Sequence, residues 1–333
     1  MLLSIITPVY NTAQYLSACL DSLLNQGVPY DSYEIILIND GSTDNSAEIL
    51  DQYATQHSNL RVVHKENSGV SASRNIALDM ARGEYIWFID SDDFIEKNVL
   101  PDIFEVLRTE KPEQMQLNMY HMKSDYFTPD EEELFNAKKL SPGKQLICSA
   151  IYCAECINRN HTRFHPELTA NGDMVFGYEL RKSIGGYTKV ATYDPIVYYY
   201  RKNGGSITYR PSAKKLNSFI SLSSIMYHHF LEDGDGFAAY TTVRYLYRSF
   251  HGMSQLSHPE RKQWLHLMRE KGVYPLVIPQ AGLAYYRTHY KSMAIKGVPQ
   301  SLFRWIPTPV GYTYVMLRSF ISNTLKKMQK LHK

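Results

Sequence analysis

The chain has 333 residues, 44% of them hydrophobic and 21% charged, a composition that suits a folded globular protein of one large domain or two modest ones. Four cysteines are too few for a disulfide scaffold and fit a reducing compartment. The net charge of +3 conceals a division: no acid follows Glu270, the last 63 residues carry ten bases, and the rest is net −7. A tail so polarised suits an anionic partner, lipid headgroups or nucleic acid.

The opening MLLSIITPVYN has no basic start and predicts a first strand over 2–9, not a signal peptide. Short apolar runs at 34–38, 60–63 and 85–89 predict three more strands of a parallel sheet covered on both faces. Helical patterns lie between them at 13–25, 46–56 and 71–81, the second started by Gly41-Ser42-Thr43-Asp44. This alternation predicts an α/β, Rossmann-like half whose ligands collect at the carboxyl ends of the strands. Those ends read Thr7-Pro8-Val9-Tyr10-Asn11, Asn39-Asp40-Gly41-Ser42, Glu66-Asn67-Ser68-Gly69 and Asp90-Ser91-Asp92. Any one of them is ordinary turn sequence; four on one rim fit a site better. Beyond Asp93 the pattern predicts a helix over 94–108, an acidic, turn-rich insert over 123–143 and a helix over 144–157. Strand-like segments follow over 161–208, then a helical, aromatic region from 212. No internal repeat is present.

The stretch 84–89 drives an apolar strand into Asp90, Asp92 and Asp93. In an extended strand, residues i and i+2 share a face, so Asp90 and Asp92 point together. Two carboxylates so placed can hold a hard divalent cation whose remaining positions go to water and phosphates. Asp93-Phe94-Ile95-Glu96 reads as a capping box, with Asp93 capping the next helix. An EF-hand loop fails because Ile95 stands where its glycine belongs. A dehalogenase-like phosphatase, with Asp90 as nucleophile, remains an alternative. It usually has a small Thr or Val where this chain has Phe94.

Four motifs in order, SIITPVYN (4–11), EIILINDGSTDNS (34–46), ENSGVSASRN (66–75) and GEYIWFIDSDD (83–93), resemble the inverting family 2 glycosyltransferases. The likeness is strong over the first hundred residues and weaker from 163 to 208. It implies a nucleotide-sugar-binding, glycosyltransferase A-type fold over 1–210, a mostly helical extension over 211–333 for acceptor or membrane association, and Mn²⁺ or Mg²⁺ as cofactor. It places Asp40 against the nucleobase, with Thr7, Pro8 and Tyr10 lining the same pocket. Arg74 becomes another nucleotide contact, Asp90 a ribose ligand and Asp92 the metal ligand. Taken singly, Asp40 would be an Asx-turn residue and Arg74 a solvated helix residue.

An inverting transfer needs a base to take the acceptor's proton. Relatives usually carry Glu-Asp before an apolar helix start; here Gly172 precedes Asp173. Asp173 is assigned as the base, and it also suits the N-cap of a helix over 174–182. The run 200–208 resembles the family's post-catalytic strand and loop, with Arg201 and Lys202 as candidate diphosphate ligands.

Other constellations are weaker. Cys148, Cys153 and Cys156 have iron–sulfur spacing but lack a fourth ligand, and zinc through His161 or His165 follows no standard pattern, so buried thiols are expected. His228-His229 reads as packing. Apolar residues from Val310 to Leu331 recur every three or four positions between basic ones, a basic amphipathic helix that would lie on an anionic membrane rather than cross it. The expectation is a glycosyltransferase of the hexosyltransferase type. It would move a sugar from a UDP-linked donor to a saccharide or lipid-linked saccharide during cell-surface polysaccharide synthesis. Its expected place is the cytoplasmic face of the cell membrane, with no nucleic acid as partner. A non-catalytic nucleotide-sugar or glycan binder is the other alternative.

Overall fold

The computed structural model describes residues 1–122, 146–201, 212–253 and 256–274. The contacts divide the chain into two compact units: Met1–Pro166 with Gly172–Ser206, and Glu167–Asn171 with the chain from Ile207 onward.

The first unit is built on an eight-stranded sheet. Its strands are β1 (Leu3–Val9), β2 (Tyr33–Asn39), β3 (Leu60–His64), β4 (Tyr85–Phe88), β5 (Phe94–Ile95), β6 (Gln114–His121), β7 (Ala150–Cys153) and β8 (Val190–Tyr200). They lie in the order β3-β2-β1-β4-β7-β6-β8-β5. The first four are mutually parallel, β7 runs antiparallel to β4 and β6, and β8 is parallel to β6. Helices α1 (Ala13–Leu24), α2 (Ser46–Gln56), α3 (Val70–Met80), α4 (Leu100–Glu110), α5 (Ala154–Arg159) and α6 (Gly172–Ser183) cover it.

Strand alternation sends successive side chains to opposite faces, and both faces here are apolar. Leu3, Ile5, Leu37 and Trp87 join one core with Leu16 and Leu20 of α1 and Phe104 of α4. Ile6, Ile36, Ile38 and Phe88 join the other with Ala77 of α3 and Phe176 of α6. This two-sided burial explains why the strands read as unbroken apolar runs.

Two predicted helices are corrected. Phe94-Ile95 pairs with Tyr198-Tyr199 of β8, so α4 begins only at Leu100, with Pro101 in its first turn. Asp93 therefore caps no helix. Within 144–157, Ile147–Ser149 is a 3₁₀ turn and Ala150–Cys153 is strand β7 between β4 and β6, leaving helix only from Ala154. Short apolar runs carry no period of their own, and sheet pairing decided these two.

In the second unit, α7 (Ala213–Asp233), α8 (Gly236–Met253) and α9 (His258–Glu270) are helical. Ser212 caps α7 by accepting from Lys215 N at 3.2 Å, and Gly234, at φ 75°, ends it. Buried Trp264 of α9 donates to Ser249 Oγ of α8 at 2.6 Å, and that hydroxyl donates to Leu216 O of α7 at 3.3 Å. His228 Nδ1 meets Ser224 O at 2.8 Å along α7, a packing contact. The acidic insert, Lys202 and the basic tail from 310 to 333 lie outside the described residues. Among the described residues, no helix is long and apolar enough to cross a membrane.

Candidate active site

The carboxyl ends of β1, β2, β3 and β4 are knitted together by main-chain bonds. Asp40 N donates to Val9 O at 2.8 Å, Lys65 N to Asn39 O at 3.0 Å, and Ile89 N to Ile6 O at 2.9 Å. The four polar motifs thus meet on one rim. Gly41 makes the tightest of these turns: at φ 71°, a Cβ there would lie 2.8 Å from Asn67 N.

Asp40 is buried. Its carboxylate pairs with Lys65 and accepts from Ser68 N at 2.9 Å and Gly69 N at 2.8 Å. It therefore holds the whole 65–69 loop against β2. Thr7 is fully buried at the end of β1, and its Oγ1 has no partner. Pro8 is half-buried and Tyr10 is exposed at the rim.

Arg74 of α3 is buried and donates from Nη2 to Asp90 Oδ1 at 2.8 Å. Its guanidinium lies over the Phe164 ring at 5.3 Å, and its Nε has no partner. Phe164 in turn stacks on Phe176 with ring centroids 4.2 Å apart. Burial raises the carboxyl of Asp173 above its ordinary value of 3.8, against the opposing charge of Arg74 and with a further push from Asp90. Asp173 is the second residue of α6 rather than the residue before it, so it is not the expected N-cap. Asn171, at φ 60°, turns the chain into that helix.

The acids 90–93 do not continue the strand. Asp93 N donates to Asp90 O at 3.0 Å, closing a turn. The turn still leaves Asp90 and Asp92 half-exposed and buries Ser91 and Asp93. Arg201, after β8, packs its guanidinium 5.5 Å from the Tyr15 ring and 4.7 Å from the Phe94 ring, and its Nε is buried without a partner.

The structure thus pairs Arg74 with Asp90 and brings Asp173 within their electrostatic reach, with Asp92 in the same turn as Asp90 and Asp40 and Thr7 at the ends of neighbouring strands. Sequence reasoning missed Lys65, Phe164 and Tyr198. Lys65 follows β3 directly and borders the Glu66 motif, a position that could have singled it out. Phe164 carries no local signal. Among the described residues, no group of three His, Cys, Asp or Glu forms a metal cluster, and all four cysteines are free thiols.

Comparison with known proteins fits this arrangement. Residues 4–159 match the model of Glycosyl transferase family 2. This segment is a family 2 glycosyltransferase domain. The glycosyltransferase EpsJ of Bacillus subtilis is 32% identical over 233 residues, 63% of this chain and 65% of EpsJ. The poly(ribitol-phosphate) beta-glucosyltransferase of Bacillus spizizenii is 33% identical over 225 residues, 63% of this chain and 34% of that protein. The chain therefore spans less than two thirds of the length of either relative. The crystal structure of S. aureus TarS 1–349 in complex with UDP-GlcNAc superposes with a TM-score of 0.61 at 23% identity, covering 86% of this chain and 84% of that 1–349 chain. The family 2 domain has the glycosyltransferase A-type fold, an α/β sheet like that of TarS, followed by helices.

Proposed function

We propose that this chain is a metal-dependent inverting glycosyltransferase that moves a sugar from a UDP-linked donor to the hydroxyl of a glycan or lipid-linked acceptor in cell-surface polysaccharide synthesis. The observation that carries it is the Asp90–Arg74–Asp173 constellation at the carboxyl ends of the parallel strands. The family 2 match contains Asp90 and Asp92, which weighs against the phosphatase alternative. A relative whose name specifies a beta-glucosyltransferase, and the TarS complexes with UDP and UDP-GlcNAc, support a UDP-linked donor.

In this reading, Asp40 and Thr7 meet the base, with Pro8 and Tyr10 beside them, and Asp90 accepts from the ribose. Asp90 and Asp92 flank one residue of a turn, and among the described residues no group of three His, Cys, Asp or Glu is placed to hold a metal ion. That donor set suits Mg²⁺ or Mn²⁺, which take one or two protein carboxylates and complete their shell with phosphate and water. When bound, such an ion would neutralise charge growing on the departing diphosphate. Asp92 would hold it, and Arg201 and Lys202 would add charge at the diphosphate. Asp173 takes the acceptor hydroxyl's proton, a role that its raised carboxyl suits. Arg74 keeps Asp90 and Asp173 compatible as neighbours. The basic tail sequence supports a place on the cytoplasmic membrane face.

The test is a thermal-shift panel of nucleotide sugars with Mn²⁺, Mg²⁺ or EDTA, followed by transfer assays. A ligand that binds only the native state raises the melting temperature. The expected result is a metal-dependent rise with a UDP-sugar, lost in Asp92→Ala and kept without turnover in Asp173→Asn. Turnover retained by both variants would overturn the mechanism. Tight binding without turnover in the wild type would instead make the chain a non-catalytic binder.

A further inference from the structure

The turn that carries Asp90 and Asp92 includes a third acid, Asp93, which the proposed reaction does not use. Its side chain is 1% exposed, and both oxygens point inward to donors. Tyr198 Oη donates to Asp93 Oδ2 at 2.5 Å, and Arg201 N donates to Asp93 Oδ1 at 2.7 Å. The same Tyr198 hydroxyl accepts from Asp90 N at 3.3 Å. With Asp93 N donating to Asp90 O at 3.0 Å, one phenol bridges the first and last residues of the turn. Tyr198 itself is fully buried in β8. From the other side, Thr12 Oγ1 donates to Ser91 Oγ at 2.9 Å. Every inward-facing residue of the turn is thus tied, and Asp90 and Asp92 are the two left facing outward.

We propose that Tyr198 and Asp93 are positioning residues: their hydrogen-bonded bridge fixes the turn that presents Asp90 and Asp92 to the donor's ribose and diphosphate with its divalent ion. This rests on the function proposed above. The physical case is one of geometry. Small divalent ions tolerate little error in ligand placement. Arg74 and Thr12 hold Asp90 and Ser91, but without the bridge only the 93→90 main-chain bond would fix the Asp93 end of the turn, and Asp92 could shift relative to Asp90. The phenol is rigid and dry, so it transmits the position of the sheet to the turn. Without its hydroxyl, Asp90 N and Asp93 Oδ2 would each lose a partner in a buried place.

The test uses the full chain with Tyr198→Phe and Asp93→Asn, both nearly isosteric. The first measurement needs no ligand: amide hydrogen exchange over 88–94. The expected result is faster exchange there in Tyr198→Phe with β1 and β2 unchanged. Unchanged exchange in the turn overturns the proposal, and so does a rise spread evenly over the first unit, which would mean a general structural role. The second is calorimetric titration of Mn²⁺ at fixed UDP. Loss of an outer-shell partner weakens metal binding by ~10–100-fold. Each variant should raise the Mn²⁺ midpoint by about tenfold, and the double variant should be little worse than either, because the two act as one unit. A midpoint equal to that of the wild type overturns the proposal. If the wild type itself binds no UDP with Mn²⁺, the proposed function fails, while the exchange measurement still decides the bridge.

Discussion

Arg74 serves two carboxylates at once. It donates to Asp90 Oδ1 at 2.8 Å, and its charge also draws down the carboxyl of Asp173, which burial pushes up. Replacing it with Ala removes the cation from both. Asp173 should then hold its proton to higher pH, so the acidic limb of the rate profile moves upward. Activity should fall more at pH 6 than at pH 8. Asp90 is partly solvated, so the loss of one charged hydrogen bond should destabilise the fold by about 1–3 kcal/mol. Arg74→Lys keeps a charge but not the planar fork, and should restore the pH limb without restoring full affinity for UDP. A pH–rate series on the three proteins checks this; a limb that stays put in Arg74→Ala refutes it.

Asp173 itself yields a prediction of opposite sign for stability and activity. Its folded-state carboxyl lies above its ordinary value of 3.8. The folded state therefore binds its proton more tightly than the unfolded state. The stabilisation from that proton is fully present below the unfolded value and is lost as pH rises through the folded one. At pH 7 the ionised carboxylate opposes folding. Asp173→Asn should melt higher than wild type at pH 7, with the gain shrinking toward acid pH. Transfer should drop by ~10²–10⁴, the usual contribution of a general base. A gain in melting temperature that is the same at pH 7 and pH 4 would contradict the raised carboxyl.

Much of this was legible because the site is made of strand ends. The apolar runs of β1, β2 and β4 register as strands since both faces are covered, and each ends in polar turn residues that the sheet must bring to one rim. Asp40, Arg74 and Asp90 stood out only because four motifs in order resemble one family; taken singly, Asp40 read as a turn residue and Arg74 as a solvated helix residue. The helix expected over 94–108 failed for the converse reason. Phe94-Ile95 is held by β8, about a hundred residues onward, and no local pattern encodes that partner. Phe164 was invisible on the same grounds: its role under Arg74 exists only after α3 and the 161–166 segment meet.

Asp40 shows how a predicted ligand can also be a tether. Asp40→Ala would leave Ser68 N, Gly69 N and Lys65 without their shared acceptor in a buried place. A loss of about 2–3 kcal/mol of stability is expected from such unpaired groups, together with loss of UDP binding. Asp40→Asn keeps an acceptor for only one of the two amides, which bind different carboxylate oxygens, and drops the charge that balances Lys65. It should melt between the other two proteins. Denaturant titration and calorimetry with UDP separate the effects, and a stable Asp40→Ala chain would show that the loop 65–69 is held by something else.

The aromatic stack beneath Arg74 links the core to the site. Phe164 and Phe176 lie parallel at 4.2 Å, Phe88 meets Phe164 edge-on at 5.3 Å, and Arg74 covers the far face of the group. Phe164→Ala should cost about 3–5 kcal/mol, as large-to-small changes in packed cores do. Phe164→Leu should cost less and so isolates the cation–π contact, worth about 0.5–2 kcal/mol. Without the ring, Arg74 loses the surface that orients it and shares its charge less well with Asp90 and Asp173. Phe164→Leu should therefore lower UDP affinity although the side chain touches no proposed ligand residue except through Arg74. The decisive measurement is a double-mutant cycle with Arg74→Lys, read by UDP calorimetry. Coupling should appear as a double variant weaker than wild type by less than the summed losses. Strict additivity would mean that Phe164 packs the core and leaves Arg74 alone.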